Sequence, residues 1–278
     1  MAGAVACWVF GVMALLPAGE AFDAIADSFD TRFEPWLSVA AQRRAVRREL
    51  VAAFPEGSRL LEIGGGTGMD AAWMVARNRS VLLTDASPAM VRAAARKLGD
   101  GVVEVVAAEH LDRLVARGER FDGAFSNFAA LNCVSDLAPV GKSLAHMVRP
   151  GGHVLLVVFG CCSPGEMITE ALLGRFRNAF RRFARGDVPA SLGGRSFTVR
   201  YHRRRDIRQA LAPWFRPLGA MAIGLFVPPS AAEPWISRHP HFLGALEAID
   251  WLAARPLAFW GDHVLYSFER VRDAEVSR

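Results

Sequence analysis

Leu60-Leu61-Glu62-Ile63-Gly64-Gly65-Gly66-Thr67-Gly68 decides the reading of this chain. An apolar run ends at an acid, and glycines then fall at every second position, Glu62-x-Gly64-x-Gly66-x-Gly68. This predicts a strand that leaves a sheet and turns tightly into a helix, its backbone close enough to touch a ligand. A dinucleotide fingerprint, G-x-G-x-x-G, needs its third glycine at position 69, which is Met69. Here the third glycine comes one residue earlier.

Working outward, the same grammar repeats. Val81-Leu82-Leu83-Thr84-Asp85 is a second short apolar run closed by an acid. An acid at the carboxyl end of a second strand can accept both hydroxyls of a ribose, a role Asp85 fits. Ser87-Pro88 then opens a helix, with serine as N-cap and proline in the first turn. Residues 102–106 and 121–127 are further β-like runs, and Val148-Arg149-Pro150-Gly151-Gly152 reads as a turn into a fifth strand over 153–158.

These ordered matches, over roughly residues 58–160, resemble the class I S-adenosylmethionine methyltransferases: the acid-glycine turn is similar to their first motif, and Val148 to Gly152 to the L-R-P-G-G before their fifth strand. The resemblance implies an α/β, Rossmann-like fold: a seven-stranded, mostly parallel sheet with an antiparallel last strand and helices on both faces. It implies S-adenosyl-L-methionine as cofactor. Glu62, Gly64, Gly65, Gly66 and Gly68 would form the cofactor turn, Asp85 and Ala86 the ribose subsite, Ala108 and Glu109 the adenine edge, and Ser126 and Asn127 the edge beyond the fourth strand. Many members carry D-A-E after the third strand; here the row reads Ala107-Ala108-Glu109. Asn127 is followed by Phe128-Ala129-Ala130 rather than P-P-Y, which argues against methylation of adenine or glutamine amino groups.

Composition sets few limits. The chain has 278 residues, 52% hydrophobic and 22% charged, and a net charge of +5, which alone implies no nucleic acid. Lys97 and Lys142 are the only lysines. Cys7, Cys133, Cys161 and Cys162 form no C-x-x-C pair and suit neither zinc nor a disulfide framework, so no metal is expected and a reducing cytoplasm is. The first 19 residues carry no charged side chain; 1–19 is read as an apolar helix, a membrane anchor or a misplaced start.

Residues 20–57 read as an N-terminal helical lid, because Phe22-Asp23-Ala24-Ile25-Ala26-x-x-Phe29-Asp30 resembles the helix that closes over the cofactor in many small-molecule methyltransferases. Gln42, Arg43, Arg44, Arg47 and Arg48 are assigned to the wet side of the helix that follows, over 36–53. Residues 58–160 are the core, 161–205 a substrate-cap insertion, and 206–278 the rest of the core with a helical insertion at 228–258. In the cap, Met167, Ile168, Ala171, Leu172, Phe176, Phe180 and Phe183 recur at threes and fours, predicting a helix over 166–185 with that face inward. Trp235, Trp251, Trp260 and Phe242 add to an aromatic wall or a second small core. Eleven arginines crowd between 175 and 208, offset by Asp187 and Asp206.

Methyl transfer requires positioning more than any fixed catalytic group. Seven histidines are candidate bases; His202, His239 and His241 are the selected ones. The expected activity is transfer of a methyl group to a small-molecule acceptor, a natural product, quinone or lipid-like compound. The alternatives are a membrane-associated lipid methyltransferase and a cofactor-binding protein with altered chemistry. Nucleic acid is not an expected partner, and the oligomeric state is left open.

Overall fold

The computed structural model describes residues 15–272. Three helices open it: α1 (Ala18–Asp23), α2 (Ala26–Phe33) and α3 (Leu37–Ala53). Strand and helix then alternate through β1 (Arg59–Ile63), α4 (Met69–Val75), β2 (Ser80–Asp85), α5 (Pro88–Leu98), β3 (Val103–Val105), α6 (Asp112–Ala116), β4 (Phe121–Ser126), α7 (Ala138–Met147) and β5 (Val148–Phe159). After β5 come α8 (Pro164–Leu172), α9 (Phe176–Ala179), a 3-10 turn at Arg181–Phe183, and the hairpin β6 (Asp187–Leu192) and β7 (Arg195–Arg200). The chain finishes with α10 (Arg204–Leu211), β8 (Phe215–Ile223), α11 (Glu233–Ile236), α12 (Pro240–Ala253) and β9 (His263–Arg270).

Seven strands form one sheet in the order β3-β2-β1-β4-β5-β9-β8, and β6-β7 stand apart. β1 to β5 pair in parallel; β9 runs antiparallel to both β5 and β8. This is the expected sheet with its reversed last strand. The strands read as unbroken apolar runs because both faces are covered. Leu61 and Ile63 point into the cluster shared with α6, α7 and α10, while Leu60 points into the cluster under α3, α4 and α5. Each fully buried Leu or Ile contributes about 1.5–3 kcal/mol. Ser87 caps α5 as its sequence predicts, accepting a hydrogen bond from the Met90 N–H at 3.1 Å.

The insertions differ from expectation. The single helix over 166–185 is broken at Gly174, whose φ of +73° ends α8. Residues 234–254 divide likewise, at Pro240, into α11 and α12. Phe176, Phe180, Phe183, Trp235, Trp251 and Trp260 are exposed, so they form neither an enclosed wall nor a second core. Arg43 and Arg47 leave the wet side and turn inward to Asp70. The arginine-rich insertion has more acidic partners than Asp187 and Asp206: Glu166, Glu170 and Asp262 also pair with it. The uncharged N-terminal run lies outside the described residues as far as residue 14. Among the described residues no helix is long and apolar enough to cross a membrane.

Candidate active site

Four adjacent strands end along one edge of the sheet, and the residues singled out above gather there. Glu62 lies near the end of β1, Asp85 ends β2, Ala108 and Glu109 follow β3, and Ser126 and Asn127 close β4. The turn after β1 needs its glycines. Gly64 has φ +66° and a Cβ there would lie 2.3 Å from the Ala130 Cβ; Gly66 has φ +55° and faces open space. The N–H of Gly66 donates to Asp85 Oδ2 at 2.8 Å, and that of Ser87 to Oδ1 at 2.8 Å, so the Asp85 carboxylate is held rigidly against the turn. Burial raises its pKa, with those backbone N–H groups opposing the shift.

Glu62 is buried, and its Oε2 has no hydrogen-bond partner. Burial, then the nearby Asp70 charge, pushes its carboxyl well above the ordinary carboxylate range. Ser126 Oγ, at the end of the neighbouring β4, is also buried and without a partner. Asp70, missed in the sequence, organises the floor: it accepts from Arg47 Nε at 2.8 Å and Asn127 Nδ2 at 2.7 Å, with Arg43 at 3.4 Å. The readable signal was an acid in the first turn of the helix that the glycine turn opens.

The N-terminal helices close over this edge. Asp23 of α1 accepts from the Ser87 hydroxyl at 2.5 Å and the Ala89 N–H at 2.9 Å. Asp30 of α2 accepts from the Thr67 hydroxyl at 2.5 Å and from Lys97 at 2.6 Å. The two acids of the Phe-Asp repeat therefore clamp the loops after β2 and β1.

The structure distributes the selected histidines widely. His202 is buried, with Nε2 2.9 Å from the Val134 carbonyl oxygen and 3.2 Å from that of Leu131; burial lowers its pKa. His239 bonds the Trp235 carbonyl at 2.9 Å, and His241 is exposed on α12. His263, passed over in the sequence, also lies at the sheet edge. It opens β9 opposite Phe159, stacks on that ring at 4.9 Å and meets Phe128 edge-on at 5.9 Å. Its Nδ1 lies 3.3 Å from Asp262, without a well-aligned hydrogen bond, and Arg182 holds the other carboxylate oxygen. Burial pushes the Cys133 thiol up to about 12 and raises that of Cys161. Among the described residues no three His, Cys, Asp or Glu side chains cluster as a metal site.

Residues 60–152 match the family model described as a methyltransferase domain. The chain is 30% identical over 141 residues to a demethylmenaquinone methyltransferase of Clavibacter sepedonicus, covering 50% of this chain and 56% of that one. It is 32% identical over 134 residues to a glycine N-methyltransferase of Mus musculus, covering 40% and 46%. Its fold is similar to that of an S-adenosylmethionine-dependent methyltransferase from Mesorhizobium loti, with a TM-score of 0.51, 18% identity, and coverage of 82% of this chain and 98% of that one. Residues 60–152 are thus a methyltransferase domain, and the fold around them is that of the class I S-adenosylmethionine-dependent methyltransferases. The chain spans about half the length of the curated relatives it matches. The matched domain ends before the cap and the hairpin, and α1 and α2 precede it.

Proposed function

We propose that this chain transfers a methyl group from S-adenosylmethionine to a hydroxyl-bearing aromatic small molecule. The observation that carries the cofactor half is the pair of buried, unpartnered oxygens, Glu62 Oε2 and Ser126 Oγ, beside the open face of Gly66 and the fixed Asp85 carboxylate. Such atoms cost free energy unless a ligand satisfies them. The cofactor carries an ammonium, a diol and a purine, and the donor set fits it: Glu62 for the methionine end, Asp85 with Ala86 for the ribose, Ala108-Glu109 for the purine edge, Asn127 for the rim. Gly64, Gly65 and Gly68 shape the turn. When bound, the cofactor supplies an electrophilic methyl on sulfur and departs as a neutral thioether.

The residues of the chain position the acceptor, exclude water and handle its proton. His263 is the proton acceptor in this reading. Its Nδ1 faces Asp262 and its Nε2 has no hydrogen-bond partner among the described residues. A base serves an oxygen nucleophile and is dispensable for an amine, so this dyad favours a hydroxyl acceptor. The rings of Phe128, Phe159 and Tyr201 around it suit a planar one. The names of the two relatives, one acting on a quinone and one on an amino acid, support a small acceptor.

Calorimetric titration with S-adenosylhomocysteine, with NAD as control, tests the cofactor half: micromolar binding that Asp85→Ala weakens supports it, and no binding to folded protein overturns it. For the acceptor half, labelled-methyl transfer is followed across a panel of hydroquinones, phenols and amines. His263→Gln should remove transfer to hydroxyls while leaving S-adenosylhomocysteine binding intact. Transfer only to amines, indifferent to His263, would sink the hydroxyl reading.

A further inference from the structure

The segment from α8 through the 181–183 turn is inside out. Glu166, Glu170 and Arg182 face inward, between 5% and 7% exposed, whereas Leu172 is 83%, Phe176 64% and Phe180 56% exposed. Ile168, Leu173 and Phe183 extend the same outward apolar surface. A surface segment of a water-soluble domain ordinarily has the opposite polarity. Pairing on the inner side fixes this one. Arg182 is bound to Glu166, to Asp262 and to the Gly160 carbonyl, and Asn178 donates to Glu170 at 3.1 Å. Turning the segment over would break these bonds and leave Asp262 buried without its guanidinium.

Contiguous exposed apolar surface of this size marks an interaction site. Its frame is basic: five arginines stand against two glutamates between residues 164 and 186, both glutamates are turned inward, and Arg177 and Arg185 are exposed beside the phenylalanines. Outward phenylalanine and leucine with flanking arginine is the composition of a segment that lies in a lipid–water interface. A second copy fits less well, because a two-fold contact on this face would oppose the same arginines to themselves. We propose that residues 164–185 dock the protein on an anionic bilayer, phenylalanine rings at the acyl boundary and arginines among the lipid phosphates. The inference is independent of which acceptor is methylated. It places the carboxyl edge of the sheet, where Arg182 reaches Asp262, towards the lipid.

The test is co-sedimentation of the full chain with phosphatidylcholine vesicles and with vesicles holding 30% phosphatidylglycerol, beside light scattering without lipid. The expected result is binding to the anionic vesicles only. That binding should fall at least about tenfold in Phe176→Ser/Phe180→Ser, roughly fivefold in Arg177→Gln, and further with added salt. Both variants change exposed side chains, and circular dichroism melting confirms that they fold. No binding of the wild-type chain to anionic vesicles overturns the proposal. Binding that the double variant retains also overturns it and moves the contact elsewhere, the uncharged N-terminal run included. Self-association in light scattering that the double variant abolishes overturns it in favour of a second copy.

Discussion

Strand β1 turns Leu60, Leu61 and Ile63 inward with no exposure, while the cap a hundred residues later turns Glu166 and Arg182 inward and leaves Phe176 in solvent. In the sheet, apolar area provides the stability, so polar atoms at its edge are free to stay unpaired: Glu62 Oε2 and Ser126 Oγ have no partner. In the cap, most inward polar groups pair with one another, Arg181 Nε and Arg182 Nε lacking an aligned hydrogen bond, and the apolar groups face out. The contrast teaches that what each region leaves unsatisfied is what it is built to meet.

The largest test of that contrast is Arg182→Met. It removes the cation shared by the buried Glu166 and Asp262, leaving Arg181 to the first and His263 with Gln42 to the second, and should cost up to about 3–5 kcal/mol in urea denaturation. A loss below about 1 kcal/mol would show that charge does not hold the cap. Burial opposes ionisation of Asp262, but His263 and Arg182 outweigh it and hold the carboxyl well below the usual range. Its folded pKa lies below the unfolded one, so this stability is present above about pH 3.9 and is lost on acidification below it.

On the sheet side, Asp85→Ala should weaken S-adenosylhomocysteine binding roughly 10- to 100-fold, the worth of hydrogen bonds to a charged group. Glu62 gives a pH signature. Burial raises its folded pKa, so it keeps its proton into the range where the unfolded chain has lost it, and its contribution to stability falls as pH rises through that window. A cationic ligand favours the ionised form. Affinity should therefore rise with pH by at most about tenfold per unit, and Glu62→Gln should flatten the slope. Calorimetry in buffers of different ionisation heat counts the released proton directly.

Smallest is Phe176→Ser, which should change stability without lipid by no more than about 0.5 kcal/mol, since an exposed ring loses little. A larger loss would mean that the ring is packed in solution and that the inside-out description fails.

These regions also differ in how far the sequence discloses them. The edge is legible because its constraints are local: positive φ at Gly64, Gly66 and Gly68 demands glycine, and the acid positions follow from strand ends. Periodicity identified the cap's apolar stripe but assigned it to a pocket wall or a second small core. Spacing of threes and fours specifies a face and not the side it is turned to, and that side is set by Asp262, 80 residues from Arg182. Arg43 and Arg47 were placed in water for the same reason, their partner Asp70 lying on another helix. His263 was passed over for His202 because a buried ring bonded to two carbonyl oxygens and a buried ring set beside an acid and two aromatic rings look alike in one dimension.

Asp23 and Asp30 have a consequence for traffic. Each fastens an N-terminal helix to a loop that the proposed cofactor must pass, and the Asp30–Lys97 link is partly open to solvent, at 28% and 30%. Were these helices a lid, exchange of spent for fresh cofactor would entail unfastening α1 and α2. Repeated turnover would then quicken with dissolved ions, and protease access to residues 18–33 would keep pace with it.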